Sequence, residues 1–150
     1  MIFKQGYFKP VNVEKYVGNI DNIYYRSSYE YRFMTICDKS EKVLKWSSEP
    51  FRIPYYDEGN KKKREYVVDF WVEVLINNII KKILIEIKPY VQTIAPIQPQ
   101  KFTKKSRDRF LGEAKTFMTN GSKWKAANEY AKKLGWDFFI ITEKNLNILK

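Results

Sequence analysis

The sequence predicts a mixed α/β fold of the α+β type, and two observations predict it. Helical and strand patterns occupy separate blocks of the chain, in the order helix, three to four strands, helices and strand. The chain has 150 residues, of which 44% are hydrophobic and 17% aromatic, so its size and composition suit one globular domain. We therefore expect a mixed sheet covered by helices.

Residues 1–23 are predicted to form an extended arm, because Gly6, Pro10 and Gly18 interrupt the aromatic residues there and no period is sustained. Residues 24–150 then form a single domain. Apolar runs along the chain are broken by charge within a few residues, so neither a leader peptide nor a membrane-spanning segment is expected.

The first helix is predicted from Ser28 to Asp38. Its apolar residues recur at helical spacing, and these are Tyr29, Phe33, Ile36 and Cys37. Ser27 and Ser28 are candidate N-cap residues. Short strands are predicted next at Val43–Glu49 and Phe51–Tyr56, and residues 57–60, with the sequence Asp-Glu-Gly-Asn, mark a turn.

Two alternating runs between Arg64 and Pro89 predict a β-hairpin. Its turn is placed at Asn77 and Asn78, because Asn tolerates positive φ. One face of the hairpin is then apolar, with Tyr66, Val68, Phe70, Val72, Val74, Ile83, Ile85 and Ile87. The other face carries Asp69, Glu73, Lys82, Glu86 and Lys88. In this register Glu73 lies opposite Lys82, and Asp69 lies opposite Glu86.

The C-terminal third is predicted to hold two helices and a strand. The second helix covers Lys104–Thr119 and ends at Asn120 and Gly121. A third helix begins after the N-cap candidate Ser122 and ends at Gly135. An apolar strand follows at Trp136–Thr142.

The composition excludes several kinds of catalysis. The chain has no histidine and one cysteine, Cys37, so Ser-His-Asp and Cys-His mechanisms are impossible. A zinc finger is excluded and a catalytic zinc is not expected, since both rely on His or Cys ligands. Any metal ion would be hard and bound by oxygen.

The net charge of +11 favours a polyanionic partner, most often nucleic acid, with solubility or an acidic protein as alternatives. The basic excess follows the hairpin, and the residues expected to contact DNA phosphates there are Lys104, Lys105, Arg107, Arg109, Lys123 and Lys125. Free N–H groups at the helix start are expected to assist. A second cluster is Lys61, Lys62 and Lys63. A solvated helical face explains Lys132 and Lys133 better.

The opposed acids Asp69 and Glu86 are the candidate catalytic centre. Two carboxylates about 5 Å apart between Cβ atoms repel each other, and a Mg²⁺ ion would neutralise them. With the backbone carbonyl of Ile87 they would hold an ion suited to phosphodiester hydrolysis. Lys88, on the same face as Glu86, is expected to orient a water or steady the phosphate. The alternative is a solvent-facing strand on which Lys88 offsets the repulsion.

Two further residues border this centre. Glu30 lies about 60° around the first helix from Phe33, so it is either a third carboxylate near the metal or a partner of Arg26 one turn away. Trp71 shares the face of Asp69, where it either stacks on a base or covers the sheet.

Several motifs occur in an order that resembles a known family. They are Tyr25-Arg26-Ser27-Ser28-Tyr29-Glu30, Lys45-Trp46-Ser47-Ser48-Glu49, Ile53-Pro54-Tyr55, Tyr66-Val67-Val68-Asp69-Phe70, Glu86-Ile87-Lys88-Pro89 and Lys123-Trp124. The chain thereby resembles the head completion nucleases of contractile-tailed bacteriophages. These are similar to the Tn7-type transposon end-cleaving endonuclease, and both resemble the PD-(D/E)xK superfamily with its restriction-endonuclease-like core. Val68 stands where the motif's proline would be.

The resemblance implies a Mg²⁺-dependent DNA endonuclease, with Mn²⁺ as an alternative ion. It implies that Asp69, Glu86 and Lys88 are metal ligands and catalytic lysine, and that Glu30 is the helix carboxylate. It also implies action in the host cytoplasm during phage assembly, after DNA packaging, beside portal, head or neck proteins, with retention in the virion head or neck as a variant. The alternatives are a transposon or recombination endonuclease, and a DNA-binding head component that no longer cuts.

Overall fold

A computed structural model describes residues 4–150 and confirms the α+β fold, a mixed sheet with layers on both faces. Its helices and strands are, in chain order, β1 (Gly6–Tyr7), β2 (Tyr24–Tyr25), α1 (Ser28–Lys39), β3 (Val43–Ser48), β4 (Arg52–Asp57), β5 (Lys62–Val67), β6 (Phe70–Ile76), β7 (Ile79–Ile87), α2 (Lys104–Lys133) and β8 (Asp137–Ile141). Short 3₁₀ turns lie at Val13–Lys15 and Tyr90–Thr93. Across residues 4–150, neither helix has a hydrophobic stretch that could span a bilayer.

The central sheet has the strand order β3-β6-β7-β8, in which β8 runs parallel to β7 and the other neighbours are antiparallel. The β6–β7 hairpin has the predicted register, with Glu73 opposite Lys82. Asn77 and Asn78 have φ values of 51° and 63°, as a two-residue turn of the type favoured in hairpins requires. The alternating pattern and the Asn-Asn turn were therefore sufficient to define this part of the sheet.

The hydrophobic core lies on both faces of this sheet. On one face, α1 packs Phe33 and Met34 against side chains that include Val72 and Ile85. On the other, Ala127 of α2 packs with a second cluster that includes Leu84 of β7. Phe33 is fully buried, and burying such a side chain contributes about 1.5–3 kcal/mol to the free energy of unfolding. The sheet is thus held between α1 and a second layer.

That second layer consists of α2 and the separate antiparallel pair β4–β5. The prediction that Tyr66 and Val68 share the core face of Phe70 is wrong. β5 ends at Val67 and pairs with β4 instead of β7, so alternation does not continue from β5 into β6. Tyr66 and Val68 therefore pack in the cluster of Leu84, on the opposite side of the sheet from Phe70.

Helix α1 begins close to its predicted position. Ser27 is the N-cap residue, and its Oγ accepts a hydrogen bond from the N–H of Glu30 at 3.2 Å. Phe33 and Cys37 of the predicted stripe are buried, and Met34 joins them. This start places Glu30 in the first turn of the helix.

The predicted break between a second and a third helix is wrong, because α2 is one helix of 30 residues. Asn120 is buried within it, and Gly121 has no positive φ that would end it. Ser122 does not cap a helix there: its Oγ accepts from the N–H of Glu58, in the turn that follows β4, at 3.1 Å. Packing of that turn on the helix explains why a sequence signal for a stop is overridden.

The segment predicted as an extended arm packs against the domain over its described part, residues 4–23. β1 pairs with β2, and Phe8 is 6% exposed. The ring of Tyr16 lies 4.6 Å from that of Trp46, and the N–H of Phe8 donates to the carbonyl of Ile23 at 2.7 Å. The domain boundary at residue 23 stays a prediction.

Candidate active site

Asp69 and Glu86 lie side by side where β6 begins and β7 ends. Phe70 pairs with Ile85, so the next opposed positions are Asp69 and Glu86. The N–H of Ile87 donates to Oδ2 of Asp69 at 2.8 Å, which holds the acid against β7. Glu86 is 4% exposed. The structure thus brings together the two acids that the hairpin register predicts to be neighbours.

The two carboxyl groups are difficult to ionise at the same time. Burial raises the pKa of Asp69 well above its ordinary value of 3.8, and the charge of Glu86 raises it further. Burial also raises the pKa of Glu86, against the lowering effect of a hydrogen bond from Tyr66 and the charges of Lys88 and Lys123. The pair therefore favours a cation that would let both acids ionise.

Lys88 is held beside these acids. Its Nζ lies 3.7 Å from Oε1 of Glu86, and its side chain is largely shielded from solvent. The main-chain N–H of Lys88 donates to the carbonyl of Ile141 at 3.0 Å, so β8 fixes this end of β7. The contact agrees with both interpretations of Lys88, as a catalytic group and as a charge that offsets the acids.

Tyr66 is a site residue that the sequence interpretation missed. Its hydroxyl donates a hydrogen bond to Oε2 of Glu86, and burial together with the charge of Glu86 raises the pKa of the phenol. The available signal was chemical, since a buried tyrosine hydroxyl usually requires a hydrogen-bond partner. Lys123 of α2 lies above the same ring, with Nζ 5.7 Å from the ring centroid. One of the residues predicted to bind DNA therefore lies beside the acids.

Glu30 belongs to a network that links α1 to the acid pair. Its Oε2 accepts a hydrogen bond from the main-chain N–H of Arg26 at 2.7 Å. The guanidinium of Arg26 forms its ion pair with Glu49, and the N–H of Glu49 donates to the carbonyl of Asp69 at 2.8 Å. No local pattern could have indicated the Arg26–Glu49 pair, since 23 positions separate the two residues.

The surroundings of Glu30 disfavour its ionised form. Burial raises its pKa, and the charges of Glu49 and Glu86 add to the increase, whereas the hydrogen bond and charge of Arg26 oppose it. The predicted interaction with Arg26 thus occurs through the main-chain N–H. The role of Glu30 as a metal ligand stays a prediction.

The donor atoms fit a hard divalent ion bound by few protein ligands. Nowhere in residues 4–150 do three or more Asp, Glu or Cys side chains form a group that could hold a metal ion. Oδ1 of Asp69 and Oε1 of Glu86 are carboxylate oxygens not used in the bonds to Ile87 and Tyr66. Mg²⁺ is commonly bound through one or two carboxylates and keeps several waters, so this pair suits it.

The predicted DNA-binding residues at the start of α2 are exposed, and these are Lys104, Lys105, Arg107 and Arg109. Their helix end has a capping box: Thr103 Oγ1 accepts from the N–H of Ser106 at 3.1 Å, and Ser106 Oγ accepts from the N–H of Thr103 at 2.8 Å. The expected free N–H groups are therefore partly used within the protein. The predicted phosphate contact would therefore rely mainly on the side chains.

The second basic cluster lies close to the middle of the same helix. Lys61, Lys62 and Lys63 are exposed around the start of β5, and Lys61 Nζ is 3.2 Å from Oε2 of Glu58. The preceding turn packs on α2 through the contact of Glu58 with Ser122. Lys125 is exposed further along α2. The predicted basic residues thus line α2 and the turn packed on it.

Two comparisons relate the chain to known proteins. Residues 40–143 match the family model described as TnsA-like endonuclease N terminal. The head completion nuclease of Enterobacteria phage T4 is 38% identical over 144 residues, which are 96% of this chain and 94% of that protein. No solved structure is significantly similar to the chain.

Proposed function

Because the chain belongs to the TnsA-like endonuclease family, we propose that it is a Mg²⁺-dependent DNA endonuclease, with Mn²⁺ as a competent substitute. The observation that carries the proposal is the adjacent pair of acids Asp69 and Glu86, whose pKa values are both raised by burial, with Lys88 beside them. Phosphodiester hydrolysis needs positive charge and an oriented water at the phosphate, and this pair is the place where a cation would be stabilised.

Asp69 and Glu86 would hold the ion together with the carbonyl of Ile87. Glu30 is a further candidate ligand, although it does not form a three-acid group with them in the described part of the chain. When bound, such an ion would lower the pKa of a water molecule and offset the negative charge that develops on the phosphate. Glu86 is oriented for this by the hydroxyl of Tyr66. Asp69 is oriented by the N–H of Ile87.

Lys88 would act on the substrate directly. Its Nζ lies next to the acid pair, from which it can orient the attacking water or donate to an oxygen of the scissile phosphate. The basic side chains of α2 and those of Lys61, Lys62 and Lys63 would hold the DNA through its phosphates. The affinity for DNA would then depend steeply on salt concentration and only weakly on base sequence.

We propose a setting from the full-length likeness to a phage head completion nuclease. The chain would act in the host cytoplasm during head assembly, after DNA packaging and beside portal, head or neck proteins, with retention in the virion head or neck as a variant. Identity over 96% of the chain favours this setting over a transposon, whose family model matches residues 40–143.

The test is incubation with supercoiled and branched DNA, with and without Mg²⁺, beside the Glu86→Ala variant. We expect cleavage only by the wild-type protein and only with the ion. Absence of cleavage with Mg²⁺ and with Mn²⁺ would support the alternative of a DNA-binding head component that no longer cuts. Ion-dependent cleavage by Glu86→Ala at the wild-type rate would show that Glu86 is not a metal ligand.

A further inference from the structure

We propose that a cleft beside the acid pair receives one unpaired nucleobase of the DNA substrate. The cleft has a volume of about 520 Å³, within the range of about 300–1,000 Å³ that is usual for small-ligand sites. The side chains that carry the argument are Tyr16, Asn19, Asn22, Phe51, Trp71 and Trp136. We call it the Trp71 cleft. The inference rests on the proposed function, since it specifies how the substrate is bound.

The Trp71 cleft is joined to the acid pair through the main chain. Trp71 pairs with Leu84 of β7, and Glu86 follows Leu84 by two residues on that strand, so the side chains of Trp71 and Glu86 project to the same face of the sheet. Glu49, which also lines the cleft, donates its N–H to the carbonyl of Asp69 at 2.8 Å. Ser47 pairs with Trp71 across the sheet. A group held in the cleft would therefore lie next to the scissile phosphate.

The walls suit an uncharged planar group. The rings of Trp71 and Trp136 have centroids 6.3 Å apart, and Phe51 lies 6.4 Å from Trp136. Base stacking on aromatic side chains is a common source of affinity for unpaired nucleic acid. The side chains of Asn19 and Ser47 add hydrogen-bonding groups at the lining. The cleft thus offers a base both a stacking surface and polar contacts for its edge.

Charge favours a base over a phosphate as the occupant. The chain carries a net charge of +11, yet none of the described residues that line the Trp71 cleft is Lys or Arg. Its acid, Glu49, is paired with Arg26. Phosphates are attracted to the basic side chains of α2 instead, so backbone and base would be bound at separate places.

Two backbone positions in the walls have unusual conformations. Glu49 has a φ of 49°, and Gly18 in the facing segment has a φ of 130°. A non-glycine residue at positive φ carries strain that the surrounding structure must offset, and such residues cluster at ligand-binding and active sites. The main-chain bond from Glu49 to Asp69 is one contact that holds it.

The occupant must be unpaired, because a base inside a duplex is stacked and cannot reach the aromatic side chains. Extruding a base is easiest at a mismatch, an end or a single-stranded stretch. The proposal therefore predicts a preference for DNA that contains such a position over fully paired DNA.

The test measures binding of the full chain in EDTA, by fluorescence anisotropy of labelled duplexes. One duplex carries a single mismatch, and the other is identical except that an abasic residue replaces one mismatched base. Both deform easily, so they differ in the base alone. We expect wild type to bind the mismatched duplex about tenfold more tightly. Trp71→Leu should bind both equally, while Trp71→Phe should retain part of the difference. Equal binding of both duplexes by wild type, or a full difference in Trp71→Leu, would overturn the proposal.

A second variant covers the case in which Trp71→Leu does not fold, as judged by circular dichroism. Asn22 is exposed at the rim, and Asn22→Ala should weaken binding of the mismatched duplex two- to threefold and leave the abasic duplex unchanged. An equal loss for both duplexes would count against the cleft. The matched control is Lys104→Ala with Lys105→Ala, which should weaken both equally.

The proposed function can fail separately. Cleavage with Mg²⁺ together with equal binding of both duplexes would overturn the Trp71 cleft and leave the nuclease standing. Tighter binding of the mismatched duplex than of the abasic duplex, without cleavage under any divalent ion, would support the Trp71 cleft and overturn the nuclease.

Discussion

Oδ2 of Asp69 accepts a hydrogen bond from the N–H of Ile87 at 2.8 Å, so the first acid of the site is anchored to the strand that carries the second. β7 in turn is paired on one side with β6 and on the other with β8. The separation of Asp69 and Glu86 is therefore set by three strands. A site held this way needs little rearrangement before a cation binds.

We expect Glu86→Ala and Lys88→Ala each to reduce DNA cleavage about 100-fold or more and to leave the fold intact. Each removes a charged group placed where charge changes during hydrolysis. Cleavage of supercoiled DNA measures the effect, and circular dichroism checks the fold. The matched controls are Glu73→Ala and Lys82→Ala, which are opposed on the same hairpin. Equal losses in variants and controls would mean that the hairpin had been damaged, not the site.

A divalent ion should stabilise the wild-type protein against heat. At a concentration of about 100 times Kd, Mg²⁺ or Mn²⁺ would add about 2.7 kcal/mol. For a domain of this size that corresponds to an increase in Tm of roughly 5–10 °C. Differential scanning calorimetry measures it without requiring activity.

Asp69→Asn should raise the Tm of the metal-free protein by a few degrees and abolish the increase that the ion produces. The amide oxygen can still accept from Ile87, while a carboxyl group whose ionisation is opposed by burial and by the charge of Glu86 is replaced by a neutral group. Glu73→Gln serves as the control and should respond to the ion as wild type does. A metal-dependent increase of full size in Asp69→Asn would contradict the site.

Replacing Lys104 and Lys105 by alanine should weaken DNA binding and reduce the slope of log K against log salt by about two. Both side chains are exposed at the start of α2. Lys132→Ala with Lys133→Ala, at the other end of the same helix, removes the same charge and should leave the slope unchanged. Binding titrations at several salt concentrations distinguish the pairs. A slope that falls equally in both would indicate attraction by net charge without a defined contact.

Acid should destabilise the protein through Asp57. Burial opposes its ionisation, but hydrogen bonds from Asn60, Thr119 and Gly59 outweigh this and lower its pKa from 3.8 to about 2. Because the folded pKa is the lower one, the stabilisation is present above about pH 4 and is lost as the pH falls toward 2. Urea unfolding at a series of pH values should show a steeper decline for wild type than for Asp57→Asn. The exposed Asp108→Asn should follow wild type.

Gly121→Ala should stabilise the protein by about 0.5–1 kcal/mol, since alanine favours a continuous helix and nothing lies within 4 Å of the added Cβ. Gly112→Ala should stabilise the protein by a similar amount, because nothing lies within 4 Å of its added Cβ either. Gly59→Ala should destabilise, because its Cβ would lie 2.6 Å from the carbonyl oxygen of Lys115 and 2.5 Å from Oγ1 of Thr119. Chemical denaturation measures all three. A loss of stability in Gly121→Ala would indicate that the helix is broken there.

The sequence predicted the part of the site that local rules determine. The turn at Asn77 and Asn78 sets the hairpin register, and the register pairs Phe70 with Ile85, which brings the preceding Asp69 next to the following Glu86. The start of α1 followed in the same way from Ser27 as an N-cap residue. These features depend on neighbours in the chain or on one turn.

The missed features depend on packing between distant segments. Tyr66 reaches Glu86 because β5 pairs with β4 and does not continue into the central sheet. The apolar alternation in the sequence runs without interruption through Val68, so it gives no sign of this change of partner. Asn120 and Gly121 resemble a helix stop, and contacts with the turn after β4 keep the helix intact. Neither the contact of Tyr66 with Glu86 nor the contact of the turn with α2 can be recognised from a short stretch of sequence, because each joins segments that are distant along the chain.

For the proposed nuclease, the unbroken course of α2 would set a minimum length of DNA that can contact the whole helix. Lys104 and Lys123 are roughly 28 Å apart along the helix axis, given a rise of about 1.5 Å per residue. That span equals about eight base pairs of duplex, at about 3.4 Å each. A shorter fragment could not reach both the start of the helix, where phosphates are proposed to bind, and Lys123 beside the acids.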